Sequence, residues 1–164
     1  MATEYTILAK LGGFIGSNPE IISSCPPLSS IGSETEILNK CFPIGSRVGE
    51  FIENKYNKYL VLSYIFRVQH KVERDDLFSF SILLHKRDKV DIYKCILKEL
   101  VERLETNGLL NEANLTKYHK KIYEGMNQEM DVYIEDILIE FSSIFKDIKV
   151  KVLKQKPQLK RSSF

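Results

Sequence analysis

Two apolar runs constrain this chain more than anything else in it. They are "YLVLSYIFRV" (59–68) and "LFSFSILLH" (77–85), separated by the charged stretch "QHKVERDD". In the first run Leu60, Leu62, Tyr64, Phe66 and Val68 fall on one side of an extended chain. Val61, Ser63, Ile65 and Arg67 fall on the other. In the second run Phe78, Phe80, Ile82 and Leu84 share one side, and Leu77, Ser79, Ser81 and Leu83 the other. Period 2 means strands, and apolar or small residues on both sides mean a sheet covered on both faces. A short polar connection between two such runs reads as a hairpin.

The remaining elements arrange themselves around this hairpin. "EYTILAKL" (4–11) reads as a strand, and the loop "GGFIGSNPE" leads to a second short strand, "EIISS", closed by Pro26 and Pro27. Ser33 and Glu36 have capping-box spacing before a short helix with the stripe Ile37, Leu38 and Cys41, ended by Pro43. "GEFIEN" reads as a third strand that turns through Asn54 to Asn57. Beyond residue 86 the period changes to 3.6. Tyr93, Ile96, Leu97, Leu100, Val101 and Leu104 define a long helix, with Asp88 as its cap and Asn107-Gly108 as its stop. Leu115, Tyr118, Ile122 and Met126 define another, capped by Asn111. Ile134, Ile137, Leu138, Phe141 and Phe145 extend that helix or form a third, and "IKVKVL" alternates as a last strand. The expectation is an α+β domain of order β-β-α-β-β-β-α-α. Its core is a five-stranded antiparallel meander, with the short helix on one face and two or more helices on the other.

The 164 residues suit one domain, assigned to 1–154, with a basic flexible tail at 155–164. From Lys149 onward six basic residues occur without an acid. Removing them from the net charge of +2 leaves the preceding body at −4. An acidic body does not fit specific nucleic-acid binding, and the basic end can touch an anionic membrane. Cys25, Cys41 and Cys95 have neither disulfide-framework nor zinc-site spacing, and Cys95 on its helix reads as a buried small apolar residue. His70, His85 and His119 lack metal-ligand spacing and read as surface histidines. The loop "GGFIG" lacks the end of a phosphate-binding P-loop, and no nucleophile elbow is present. No metal or other cofactor is expected. The start of the chain lacks the pattern of a signal peptide and no apolar run reaches membrane-spanning length, so a cytoplasmic protein, able to sit at membranes, is expected.

Four stretches together carry a family resemblance: "YTILAKLGGFIGSNPEIISSCPP", "YIFRVQHKVERDDLFSFSILL", "YKCILKELVERLE" with "LTKYHKKIYEGMNQ", and "IKVKVLKQKP". The chain resembles the longin fold, one of the profilin-like sandwiches. It is most similar there to the N-terminal longin domain of the nitrogen permease regulator 2-like and folliculin group. The resemblance implies a non-enzymatic interaction module. Such a module dimerises with itself or with a longin- or roadblock-type domain and forms a platform for small-GTPase regulation in signalling or membrane trafficking. It also implies that an arginine in the central hairpin loop, here Arg74, can act as an arginine finger, so that the chain would be a GTPase-activating accessory. A trafficking adaptor is a further alternative. Read from the residues alone, Arg74 is an ordinary polar turn residue, with a contact to a partner as the lesser alternative. Asp75 and Asp76 beside it would partly neutralise its charge.

Overall fold

The computed structural model describes residues 3–13, 16–28, 32–72, 74–85, 90–147 and 149–151. Its centre is a five-stranded antiparallel sheet built from β1 (Thr3–Leu11), β2 (Glu20–Cys25), β3 (Phe51–Tyr56), β4 (Tyr59–Val68) and β5 (Asp76–His85). The strands lie in the order β2-β1-β5-β4-β3. The expected meander is therefore corrected: β1 lies between β2 and β5, and the sheet has a crossover between β2 and β3. That crossover carries α1 (Glu34–Cys41).

The two faces follow the alternation of the strands. On one side Leu8, Leu62, Tyr64, Phe66, Phe78, Phe80, Ile82 and Leu84 pack with α2 (Val90–Thr106) and the elements after it. The α2 stripe Tyr93, Ile96, Leu97, Leu100, Val101 and Leu104 is buried as its period requires. On the other side Ile7, Val61 and Leu83 pack against Ile37 and Cys41 of α1, and Ile65 and Ala9 against Phe42. The serines explain how α1 comes so close. Ser63, Ser79 and Ser81 are fully buried on that face. Ser79 Oγ donates to the Cys41 carbonyl at 2.7 Å, and Ser63 and Ser81 hydroxyls meet at 2.6 Å. Small hydroxylated side chains thus leave room for the helix end and satisfy one of its orphan carbonyls.

Several local expectations change. Ser33 stands at the N-cap of α1, but its side chain makes no capping bond. Asn54 lies inside β3, where its side chain donates to the Lys40 carbonyl at 2.9 Å, and the hairpin turns at Asn57-Lys58, with Asn57 at φ +53°. The helix expected over Leu115 to Met126 is two pieces, α3 (Glu112–Lys117) and α4 (His119–Gln128), broken at Tyr118. Asn111 caps the first, its side chain accepting from the Asn114 amide at 2.8 Å. Ile134, Ile137 and Leu138 are not helical. They belong to a small hairpin of β6 (Val132–Ile134) and β7 (Ile137–Ile139), turned at Glu135 with φ +54°. Helical residues resume at 141–147, and 149–151 are helical rather than extended. The Asp88 cap and the tail from residue 155 lie outside the described residues.

Candidate functional site

Strand pairing brings three loops to one end of the sheet. Leu11 pairs with Leu77, Val68 with Asp76, and Phe51 with Tyr64. Loop 12–19 after β1, loop 42–50 before β3 and loop 69–75 between β4 and β5 therefore share that end. Loop 69–75 carries Arg74.

The base of this loop is fastened by carboxylates. Asp76 is buried, 7% exposed. Its Oδ1 accepts from the Gly13 amide at 2.9 Å and its Oδ2 from His70 Nε2 at 2.6 Å, with Lys10 Nζ at 3.7 Å. Burial alone would raise the Asp76 carboxyl. The His70 bond, the Gly13 amide and the Lys10 charge outweigh it and hold the group below its ordinary value. Lys10 also reaches Glu112 at 2.7 Å. That bond raises the Lys10 amine above its ordinary value against the opposing effect of burial. Asp75 pairs with Arg67 at 3.4 Å. Four segments of the chain, from β1, β4, β5 and α3, are thereby tied together at the foot of one loop.

Arg74 itself is exposed. The two carboxylates that follow it in sequence are turned to other partners, Asp75 to Arg67 and Asp76 to His70, Gly13 and Lys10. Among the described residues no carboxylate lies within ion-pair distance of Arg74. Its backbone is fixed by close packing: a Cβ on Gly13 would stand 2.6 Å from the Asp75 carbonyl oxygen and 2.8 Å from the Arg74 Cβ. Glycine at 13 is what lets the two loops touch. The same end carries a surface cavity of about 170 Å³ lined by Arg67, Gln69, Glu105, Gly108 and Leu110. This arrangement can present a cation on a braced loop. Asp75, Asp76 and Glu112 are each engaged by a cation, a histidine or an amide.

A second polar cluster was not foreseen. His119, expected at the surface, is 2% exposed. Its Nε2 lies 2.8 Å from Thr6 Oγ1 and its Nδ1 2.5 Å from Ser23 Oγ, with the Phe80 ring edge-on at 5.4 Å between centroids. Burial pulls its pKa down to about 4, so the ring is neutral at pH 7. With the Thr6 hydroxyl turned to the Cys25 carbonyl at 3.5 Å, Nε2–H donates to Thr6 and Nδ1 accepts from Ser23. The ring stitches α4 to β1 and β2. Its partners lie 113 and 96 residues away in sequence, so spacing gave no sign of them.

The cysteines divide differently from expectation. Cys95 is exposed, because one residue before Ile96 it is rotated about 100° from the buried stripe. Cys41 is buried, and burial pushes its thiol up to about 12 against a hydrogen bond from Ser81. Among the described residues no group of three or more His, Cys, Asp or Glu side chains could hold a metal ion. Nor is any helix there long and apolar enough to cross a membrane. No known family profile matches the chain, and no curated protein is significantly similar to it.

Proposed function

We propose that the chain is a longin-like interaction module, a non-enzymatic platform that pairs with itself or with a longin- or roadblock-type domain and receives a small GTPase. The observation that carries this reading is the sheet itself. Helices cover both of its faces, yet β2 and β3 stand at its ends in the order β2-β1-β5-β4-β3. Each therefore pairs along one side only among the described residues. An open strand edge is a template for a second chain. The element order up to α2 and the placement of α1 opposite α2 also support the resemblance to longin domains. Light scattering on the purified chain, alone and coexpressed with a longin- or roadblock-type domain, tests this. A homodimer or a stable heterodimer is expected. A strict monomer that binds neither overturns the reading.

A second reading is favoured by one observation, the diversion of Asp75 and Asp76 from Arg74. An exposed guanidinium on a braced loop supports the reading of Arg74 as an arginine finger, a group that neutralises charge developing during phosphoryl transfer and raises the rate by about 10³–10⁵. In that reading Arg74→Ala removes stimulated GTP hydrolysis and leaves complex formation intact. An unchanged rate excludes Arg74 from the chemistry.

A further inference from the structure

The loop before β3 repeats a pattern that the fold does not require. "PIGS" (43–46) and "RVGE" (47–50) are consecutive four-residue turns. Each closes back on its first carbonyl, Ser46 N to Pro43 O at 3.3 Å and Glu50 N to Arg47 O at 3.1 Å. Each has glycine at its third position with positive φ, +88° at Gly45 and +85° at Gly49, as a type II turn demands. Each therefore places a β-branched aliphatic at its second position, the outer corner. Ile44 is 101% exposed and Val48 52%.

The loop is nevertheless firmly held. Ser46 Oγ donates to the Pro43 carbonyl at 2.6 Å, and Gly49 N donates to the Ile65 carbonyl of β4 at 2.7 Å. Loop 69–75, at the same end of the sheet, adds Val72, 96% exposed. Three of the large apolar side chains exposed among the described residues thus stand on two neighbouring loops. Arg47, Lys71 and Arg74 are exposed on the same loops. The acids of the two segments are Glu50, Glu73 and Asp75, and Asp75 is engaged by Arg67.

We propose that this end of the sheet is a membrane-docking tip, with Ile44, Val48 and Val72 entering the headgroup boundary of an anionic bilayer and Arg47, Lys71 and Arg74 reaching lipid phosphates. A bilayer is favoured over a protein partner by shape. Separate aliphatic corners that project past their own surface need matching pockets in a protein, whereas lipid conforms to each of them. The pre-formed turns cost little ordering on docking. Long cationic side chains beside apolar tips fit an interface with anionic headgroups. In this orientation the strand edges stay open to protein partners. The proposal does not rest on a GTPase or on any partner.

Flotation of the full chain with vesicles tests it. Binding is expected to vesicles containing about one-third phosphatidylserine and to be weaker with phosphatidylcholine alone. Ile44→Ser combined with Val48→Ser is expected to weaken binding about tenfold or more, and Lys71→Glu about fivefold or more. Thermal unfolding of these variants should match the parent, because the altered side chains are solvent-facing. Binding that persists unchanged in the double serine variant overturns the proposal and assigns membrane contact to the basic segment beyond Lys149. Absence of vesicle binding also overturns it. If the same substitutions then abolish assembly with a longin- or roadblock-type domain, the tip belongs to a protein interface.

Discussion

Two histidines of this chain sit on polar partners and do opposite work. His119 is buried between α4 and the paired strands β1 and β2, neutral, and held by the Thr6 and Ser23 hydroxyls. His70 stands at the foot of an exposed loop and donates to a carboxylate that also holds Gly13 and Lys10. The first fastens secondary structure into a core. The second braces a loop whose outer residues face solvent. Polar clusters at similar distances can therefore serve the fold or the surface, and burial of the histidine itself decides which: His119 is buried and His70 exposed.

The widest separation between the two should come from truncation. His119→Ala leaves a cavity and removes the ring from between the fully buried Thr6 hydroxyl and Ser23, so a loss of about 3 kcal/mol in urea unfolding is expected. His70→Ala should cost under about 1 kcal/mol, since its ring is partly exposed and Asp76 keeps the Gly13 amide and Lys10. Equal losses would erase the distinction.

Acid should pull the clusters apart next. His119 titrates near 6.5 when unfolded and at about 4 when folded. The unfolded chain binds the proton more readily, so this stability is fully present above about pH 6.5 and disappears as pH falls toward 4, about 3 kcal/mol in all. His119→Gln should flatten that part of the pH profile of the urea midpoint. Asp76, held below its ordinary value, adds a loss of the same sign at lower pH, as the solution passes below the unfolded carboxylate range.

Smaller effects belong to the loop. Gly13→Ala drives a methyl into the Asp75 carbonyl and the Arg74 Cβ, so a loss of about 1–2 kcal/mol and faster amide exchange across residues 69–75 are expected. Arg74→Ala should leave the unfolding midpoint within about 0.5 kcal/mol of the parent, because its side chain is exposed. A larger loss would make Arg74 part of the fold.

Much of the sheet was legible because its hairpin alternates on both faces for ten residues. The buried partners of Leu62, Phe80 and Leu83 follow directly from their places in that alternation. The stripe of α2 was equally plain. The β6-β7 hairpin was not. Its strands have three residues each, too few to display period 2, and the spacing of Ile134, Ile137, Leu138 and Phe141 imitates a helix. Its turn uses Glu135 at positive φ, without the glycine or asparagine that marks such turns in sequence. The meander failed because strand order depends on which edges pair across the chain, and β1 meets β5 some seventy residues away. At the candidate site Arg74 was visible as a loop charge. The brace under it was not, because Gly13 and Lys10 meet Asp76, and Glu112 meets Lys10, only after folding. The twin turns at 43–50 were missed, because "GEFIEN" reads as strand from Gly49 onward, although Gly45 and Gly49 stand four residues apart.

The proposal that this chain works by pairing is tested most directly by hydrogen exchange on the full chain. Exchange is followed across a dilution series and again with a longin- or roadblock-type domain added. Pairing through an open edge predicts that amides of β2 or β3 slow as the complex forms, while those of the central strand β5 stay equally protected throughout. Edge amides whose exchange is indifferent to both concentration and partner would contradict it.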